Sequence, residues 1–170
     1  MKKNKANLIY GKHPVVDAIK AGKSFEKVWI QQGLRGDLER EMRQLCKQFD
    51  IPLQYLPKER LNRLTSGANH QGVAGMVALV QYQQIENVLP MLFEKPDPPL
   101  VIILDGVTDT RNFGAIARSA EVLGAHALVV AQKNAAPVNP DAMKTSAGAL
   151  AHLPVCRANS IAKALEELRL

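Results

Sequence analysis

The chain has 170 residues, of which 46% are hydrophobic and 22% are charged, a balance that is ordinary for one or two folded domains and excludes disordered and fibrous proteins. Its 22 Lys and Arg residues outnumber its 16 Asp and Glu residues, and this excess favours a polyanionic partner. Cys46 and Cys156 form neither a disulfide framework nor a metal-ligand spacing, and no apolar run is long enough for a membrane span, so we expect a cytoplasmic protein without metal or membrane contact.

The first 80 residues alternate between strand and helix patterns. Leu38, Met42, Leu45 and Phe49 recur at the helical period, and GVAGMVALV, residues 72–80, is an apolar run of the buried-strand type. The sequence therefore predicts a compact α/β unit. Its predicted strands are 7–10, 25–31, 51–56 and 72–80, and its predicted helices are 13–21, 37–49 and 57–64.

A proline-rich segment follows this unit. Residues 82–98 are polar at first and then contain Pro90, Pro96 and Pro98, a composition typical of a linker. We therefore predict a first domain over 1–81, a linker over 82–98 and a second domain over 99–170.

The second domain has short, continuously apolar strands linked by helices. Continuous rather than alternating apolar strands indicate a parallel sheet covered on both faces. The predicted strands are 100–104, 127–131 and 153–156, and the predicted helices are 112–123, 141–149 and 160–170.

Positive charge is concentrated in the first domain. Residues 1–82 contain 14 basic and 7 acidic residues, whereas residues 83–170 contain 8 and 9. This asymmetry is typical of a nucleic-acid-binding module, although a solvated basic surface would give the same counts. Eight aromatic residues are few for a surface that stacks successive bases, so we expect phosphate and shape contacts. The candidate nucleic-acid-binding residues are Lys12, Arg35, Lys58, Arg60, Arg63, His70 and Gln71 in the first domain and Arg111 in the second.

The loop after the first strand of the second domain is the candidate site, because chemistry in open parallel sheets gathers at the carboxyl ends of strands. The segment Asp105–Ala125 reads DGVTDTRNFGAIARSAEVLGA and contains neither of the glycine-rich fingerprints for dinucleotides or nucleoside triphosphates. We expect Asn112 to cap the following helix, and Gly114 to allow a close approach to its first turn.

Arg118 lies two residues after Ile116, which we expect to form a buried stripe with Ala120 and Leu123. Arg118 therefore points away from that stripe. It is either a solvated helix residue or a guanidinium that holds a phosphate or stabilises an alkoxide.

Four segments together resemble one family. They are DTRNFGAIARSAEVLGA and NPDAMKTSAGALAHLPV in the second domain, and IYGKHPVVDAI and NHQGVAGMV in the first. The first pair is similar to the SpoU (TrmH-like) branch of the SPOUT RNA methyltransferases. The second pair resembles the small ribosomal-protein-like RNA-binding domain of the bacterial enzymes that methylate a 23S rRNA guanosine at its 2′-hydroxyl.

The resemblance implies transfer of a methyl group from S-adenosylmethionine to a ribose 2′-hydroxyl of ribosomal RNA. It also implies a homodimer whose catalytic domain, here C-terminally incomplete, contains a trefoil knot. The family's motif arginine and asparagine correspond to Arg118 and Asn112, so the resemblance implies that these two residues are catalytic, while Thr110 stands where relatives commonly have proline.

Two functions are consistent with the sequence, and they differ in whether the protein binds the methyl-donor cofactor. The two later motifs that form most of the family's S-adenosylmethionine pocket are not found up to Leu170, so we expect the cofactor-binding residues beyond it. The leading interpretation is an RNA 2′-O-methyltransferase, with doubtful activity in the 170-residue chain alone. The alternative is a noncatalytic RNA-binding or ribosome-assembly module.

Overall fold

The computed structural model describes residues 7–94 and 96–169, and the chain divides into two compact units between Ala78 and Leu79. Unit 1 comprises the residues up to Ala78, and unit 2 those from Leu79. None of the helices in the described ranges has the length and hydrophobicity that a bilayer span needs.

Unit 1 is a mixed sheet with helices, as the sequence predicts, and the element ends differ from the prediction by a few residues. Strand β1 is antiparallel to β4, β4 is antiparallel to β2, and β2 is parallel to β3, so the sheet order is β1-β4-β2-β3. The elements are β1 (Leu8–Tyr10), α1 (Lys12–Lys20), β2 (Phe25–Gln31), α2 (Asp37–Gln48), β3 (Leu53–Leu56), α3 (Lys58–Leu64) and β4 (Val73–Val77).

One face of this sheet packs against α1 and α2. Val28 and Ile30 of β2 join Val15 and Ile19 of α1 and Met42 of α2 in one buried apolar cluster. Successive strand residues point to opposite faces, so the neighbours of Val28 and Ile30 in β2 lie on the other side of the sheet.

Unit 2 contains a fully parallel sheet of order β5-β8-β7-β6. Its elements are β5 (Tyr82–Gln83), α4 (Ile85–Phe93), β6 (Val101–Leu104), α5 (Thr110–Val122), β7 (Ala127–Ala131), α6 (Pro140–Thr145), α7 (Ala149–His152), β8 (Val155–Ala158) and α8 (Ile161–Glu167). Leu128 and Val130 pack into the cluster that contains α5, whereas Ala127 and Val129 pack into the cluster that contains α4. Both faces are therefore covered, and the predicted parallel sheet is confirmed.

The predicted linker over 82–98 is largely a structured part of unit 2. Tyr82–Gln83 forms β5, and Ile85–Phe93 forms α4 with Pro90 inside it. Val88 and Leu92 lie on the buried side of this helix, and their burial compensates for the backbone hydrogen bond that Pro90 cannot make. The boundary between the units consequently lies earlier than predicted.

The helix predicted over 141–149 is interrupted. Ala147 and Gly148 have φ angles of 51° and 99°, which end α6 and separate it from α7. The left-handed conformation at these two residues is incompatible with a continuous right-handed helix. The following strand is shifted accordingly, to Val155–Ala158 instead of residues 153–156.

Gly114 allows α5 to pack directly on α6. A Cβ atom at this position would lie 2.6 Å from the backbone oxygen of Ala142 and 2.9 Å from the Cβ of Thr145. The predicted close approach to the first turn of α5 is therefore confirmed, and the approaching group is the backbone of α6.

The buried side chain of His70 hydrogen-bonds to residues on both sides of the loop between α3 and β4. Its side chain is 5% exposed, its Nδ1 accepts a hydrogen bond from the Gly72 amide at 2.9 Å, and its Nε2 lies 2.7 Å from Asn62 Oδ1. Because Nδ1 accepts, the proton of the neutral ring is on Nε2, which donates to Asn62. This burial contradicts the RNA contact predicted for His70, since both ring nitrogens are occupied within the protein.

We predict that Gly114→Ala destabilises unit 2 by about 1–3 kcal/mol, because the new methyl group overpacks against backbone that cannot rotate away. This cost exceeds the gain of about 1 kcal/mol in helix propensity. Urea unfolding followed by circular dichroism measures the change. Ser119→Ala, at an exposed position of α5, is the matched control and should change stability by less than about 0.5 kcal/mol. Equal stability of the two variants would contradict the close packing.

We also predict that His70 makes unit 1 less stable in acid. Burial, followed by the charge of Lys58, lowers the pKa of His70 below 6.5, so the unfolded chain binds the proton first as the pH falls. Stability should therefore decrease as the pH falls through about 6.5, by at most about 1.4 kcal/mol per pH unit. Urea unfolding at several pH values, followed by the fluorescence of Trp29, measures this slope.

His70→Gln should remove that contribution to the pH dependence, whereas His13→Gln, at an exposed histidine, should retain it. Identical slopes in wild type and His70→Gln would show that the buried imidazole does not control the acid response.

Candidate active site

The candidate site begins where β6 ends and α5 starts. Asp109, in the loop between these elements, accepts hydrogen bonds through Oδ1 from the backbone amides of Arg111 at 2.9 Å and Asn112 at 2.8 Å. The N-cap is therefore Asp109, and the prediction that Asn112 caps this helix is wrong. An aspartate here satisfies two amides of the first turn, and its negative charge is favourable at a helix N-terminus. The side chain of Asn112 is thereby left exposed.

The buried side of α5 differs from the predicted stripe. Phe113, Ala117 and Ala120 are buried, whereas Leu123 is 75% exposed because the helix has ended before it. Ile116 is only partly buried against the core. Arg118 is exposed, as the sequence predicts, because it lies about 100° around the helix from Ala117.

Arg111 and Arg118 share one face of α5. Seven residues separate them, so they lie two helical turns and roughly 10 Å apart along the axis, and both are exposed. Asn112 lies about 120° around the helix from Arg118, so the predicted catalytic pair does not share a face.

Arg118 also lies away from the strand-end loop. Helix α5 connects the parallel strands β6 and β7, so it must run back from the carboxyl edge of the sheet. Arg118 is about 12 Å along the axis from Thr110, the first residue of the helix. The arginine face therefore extends along α5 from the strand-end loop, and a role of Arg118 at the carboxyl edge stays a prediction.

The described residues around this edge do not by themselves fit S-adenosylmethionine. Asp109 is engaged by the first turn of α5, and the backbone of α6 occupies the space beside Gly114. No buried side-chain nitrogen or oxygen in the described ranges lacks a hydrogen-bond partner.

A cavity of about 380 Å³ lies at the opposite, amino edge of the unit 2 sheet. His126 and Pro154, which line it, directly precede β7 and β8. The imidazole of His126 accepts a hydrogen bond from the Leu100 amide at 3.1 Å, which ties the starts of β6 and β7 together. Helix α5 contributes Glu121 to this cavity, whereas neither Arg111 nor Arg118 lines it.

The basic residues predicted to bind RNA are mostly exposed. Lys58, Arg60 and Arg63 lie on α3 with their side chains in solvent, and Arg35 is exposed in the loop before α2. Lys12 is partly exposed and forms an ion pair with Glu41 at 4.0 Å. The structure thus brings three of these cations together on α3.

Gln71 makes a long-range hydrogen bond within unit 1 that the sequence alone did not indicate. Its side-chain oxygen accepts a hydrogen bond from the Lys12 amide at 3.0 Å, across 59 residues of chain. This contact connects the start of α1 to the turn before β4. The amide group of Gln71 is otherwise exposed, so an RNA contact there stays a prediction.

The two cysteines are buried thiols. Burial raises the pKa of Cys46 to about 12, and burial together with the charge of Glu86 raises that of Cys156 to about 11. Both thiols are therefore protonated at neutral pH. Within residues 7–94 and 96–169, no group of three or more His, Cys, Asp or Glu side chains is arranged to hold a metal ion.

The hydroxyl side chains at the end of α6 have internal contacts. Thr145 Oγ1 donates to the Asp141 carbonyl oxygen, and the fully buried Ser146 donates to the Met143 carbonyl oxygen. These hydroxyls stabilise the end of α6, whereas Lys144 between them is exposed.

Both units match models of one protein family. Residues 8–83 match the substrate-binding domain of RNA 2′-O ribose methyltransferases, and residues 99–170 match the SpoU rRNA methylase family. An uncharacterised tRNA/rRNA methyltransferase of Synechocystis is 36% identical over 96% of this chain and 43% of its own length. A protein of Bacillus subtilis named as a TrmH family tRNA/rRNA methyltransferase is 31% identical over 95% of this chain and 64% of its own length. The chain thus spans less than two thirds of these relatives.

Solved structures of the family are similar to the chain. The SpoU methyltransferase AviRb of Streptomyces viridochromogenes, in complex with S-adenosylmethionine, has a TM-score of 0.43 and 23% identity, covering 98% of this chain and 61% of AviRb. An rRNA methyltransferase of Sinorhizobium meliloti with the same bound molecule has a TM-score of 0.45 and 18% identity, covering 99% and 62%. S-adenosylmethionine is the cofactor of this family. With substrate-binding and methylase domains in sequence, the chain belongs to the SpoU family of RNA methyltransferases.

Proposed function

We propose that the complete protein transfers a methyl group from S-adenosylmethionine to a ribose 2′-hydroxyl of ribosomal RNA, at a guanosine of 23S rRNA. The observation that carries this proposal is the order of the two matched domains, substrate binding over 8–83 and methylase over 99–170. We further propose a cytoplasmic homodimer that associates through a trefoil-knotted methylase domain. The cofactor-binding residues of the complete protein then lie beyond Leu170.

Arg118 acts on the ribose hydroxyl in this proposal. A guanidinium has a pKa above about 12 and is a poor proton acceptor, but it stabilises an alkoxide as negative charge develops on the oxygen. The exposed face of α5 presents Arg118 to solvent, where RNA can reach it. Asn112 is a positioning residue at the start of the same helix, and Arg111 holds an RNA phosphate on the Arg118 face.

Unit 1 supplies RNA affinity. Arg60 and Arg63 are exposed about 60° apart around the short helix α3, which suits contacts to neighbouring phosphates, and Lys58 is exposed on another side of the same helix. Arg35, Lys12 and Gln71 are the other proposed RNA contacts of unit 1. His70 is left out because its ring is buried and bonded within the protein.

The phosphate contacts of unit 1 predict a strong salt dependence of RNA binding. Each phosphate that is neutralised contributes roughly 0.7–0.9 to the slope of log affinity against log salt concentration. Arg60→Ala and Arg63→Ala should each weaken binding of an rRNA fragment and reduce this slope by about one contact. Fluorescence anisotropy over a series of salt concentrations measures both quantities.

The matched control is Arg43→Ala, because the guanidinium of Arg43 is already paired with Glu39. That variant should leave the slope unchanged. A wild-type affinity that does not vary with salt would contradict the electrostatic mechanism.

Replacing Arg118 tests the catalytic proposal. Arg118→Ala in the complete protein should lower the rate of methyl transfer by on the order of 10²-fold or more, because an oxyanion-stabilising group is lost. Arg118→Lys should restore only part of the rate, since an ammonium lacks the planar fork that holds two oxygens. Single-turnover kinetics with saturating RNA and cofactor measure the chemical step.

The control is Glu121→Ala, another exposed position of α5, which should keep the wild-type rate. Near-normal methylation by folded Arg118→Ala would show that this arginine is a solvated surface residue. A complete wild-type protein that binds rRNA but never methylates it would instead favour the noncatalytic RNA-binding module.

A further inference from the structure

Three basic segments of unit 1 meet at one short turn, residues 70–72, which we name the central turn. The turn leads from the loop after α3 into β4. The three segments are the start of α1, the loop after β2 and helix α3. They contain every cation proposed to bind RNA in this unit, namely Lys12, Arg35, Lys58, Arg60 and Arg63. Each segment contacts a different residue of the turn.

Gln71 attaches the start of α1 to the central turn. Helix α1 has no side-chain cap of its own, because its N-cap residue is Gly11. Gln71 Oε1 supplies the missing acceptor and receives a hydrogen bond from the Lys12 amide at 3.0 Å. The Gly11 amide donates in turn to the carbonyl oxygen of Val73, the residue after the turn, at 3.0 Å. The backbone that carries Lys12 is therefore fixed against this turn.

Gly72 attaches the loop after β2. Its carbonyl oxygen accepts a hydrogen bond from the Gln31 amide at 2.8 Å. Its φ angle is 83°, and a Cβ atom here would lie 3.2 Å from a methyl carbon of Leu34, so glycine allows the Leu34 side chain to pack close to the turn. Leu34 directly precedes Arg35 in the chain. The backbone around Arg35 is thus supported by the same turn.

His70 attaches helix α3. This helix has only seven residues, too few to be stable by itself in water, so its position depends on tertiary contacts. One contact is the fully buried Leu61, and the next residue, Asn62, accepts a hydrogen bond from His70 Nε2 at 2.7 Å. Lys58 lies one helical turn before Asn62 on the same face, and its charge, after burial, lowers the pKa of His70. The imidazole ring and the cationic helix are therefore neighbours.

The ring of His70 has no nitrogen left for RNA. Nδ1 accepts a hydrogen bond from Gly72, Nε2 donates to Asn62, and the side chain is buried. Any contribution of His70 to RNA binding therefore acts through the residues that it holds. A hydrogen bond that fixes a short helix in advance removes conformational freedom that the phosphate contacts would otherwise have to remove.

We propose that His70 is a positioning residue of the RNA-binding surface. Through Asn62 it holds the cations of α3 in a fixed arrangement with Lys12 and Arg35, so that one RNA meets all three basic segments. This inference rests on the proposed function, because it assumes that these cations contact RNA phosphates. The hydrogen bonds of the central turn lie within the protein, so the arrangement exists before RNA binds.

Two substitutions of His70 separate the hydrogen bonds of its ring. The side-chain oxygen of asparagine can replace Nδ1 as the acceptor for the Gly72 amide, but this side chain is too short to reach Asn62. Glutamine is longer, and its amide nitrogen can replace Nε2 as the donor to Asn62. We expect His70→Asn to weaken binding of an rRNA fragment to the 170-residue chain roughly tenfold, and His70→Gln to retain most of the affinity. Fluorescence anisotropy measures both affinities.

The salt dependence of binding distinguishes positioning from a loss of charge. At pH 8 the ring of His70 is neutral, so His70→Asn changes no charge. A displaced α3 should nevertheless lose phosphate contacts, and the slope of log affinity against log salt concentration should fall by roughly 0.7–0.9 for each lost contact. A substitution that only lowered stability would leave the slope of the folded protein unchanged. Thermal unfolding by circular dichroism confirms that each variant is folded at the temperature of the measurement.

Asn62→Ala tests the same hydrogen bond from its other end. Asn62 is exposed, so this substitution leaves the core intact, and it should give the same losses of affinity and slope as His70→Asn. The double variant should lose no more than either single variant, because both substitutions remove one interaction. The matched control is Gln44→Ala, which removes an exposed amide from α2 and should keep the wild-type affinity and slope.

The outcomes separate this inference from the proposed function. Wild-type affinity and slope in folded His70→Asn or Asn62→Ala would overturn the positioning role and leave RNA binding by unit 1 intact. Equal losses in His70→Asn and His70→Gln, or multiplied losses in the double variant, would overturn it in the same way. A wild-type chain that shows no salt-dependent RNA binding would overturn both this inference and the proposed function of unit 1.

Discussion

The absence of a side chain at Gly114 is the constraint on which the candidate active site depends. The backbone oxygen of Ala142 lies where a Cβ atom would clash, so the observed packing of α5 on α6 requires glycine at this position. In that setting Phe113 and Ala117 are buried, and Arg111 and Arg118 are turned toward solvent. A packing requirement in the interior thereby determines which polar groups α5 presents outside.

The two units carry their candidate functional residues on different elements. In unit 2, Arg111 and Arg118 lie on one face of α5, which packs on the parallel sheet. In unit 1, the exposed cations Lys58, Arg60 and Arg63 lie on α3. Substitutions on α3 and on α5 therefore test the proposed RNA affinity and the proposed chemistry separately.

Local patterns were sufficient to predict most elements, whereas long-range pairing decided the features that were missed. The helical spacing of apolar residues predicted the position of α2 well, because Met42 and Leu45 of that pattern lie on its buried side. Helix α4 was missed because Pro90 and the following prolines dominate the local composition, although Val88 and Leu92 bury against strands far along the chain. The Asn112 cap was wrong because Asp109, three residues earlier, is also a good capping residue, and the path of the preceding loop decides between them.

The site residues show the same limit. The exposure of Arg118 followed from its position in the helix, but the burial of His70 depends on Asn62 and Gly72, which only the folded loop brings to its ring. The alignment of Tyr10, Ala74 and Trp29 across the unit 1 sheet likewise depends on the register of β1, β4 and β2. A single sequence does not specify such a register, because pairing partners are far apart along the chain.

The strand order of unit 2 has a consequence for synthesis on the ribosome. Strand β5 pairs with β8, and Tyr82 precedes its partner Val155 by 73 residues. This edge of the sheet cannot form until the ribosome has synthesised β8. At typical elongation rates this interval lasts roughly 4–15 s. Helix α4 emerges early, and its apolar side chains have no sheet to cover until β7 and β8 are complete. Unit 1 can finish folding during this time, whereas the nascent second unit exposes an apolar helix that chaperones bind and that can aggregate.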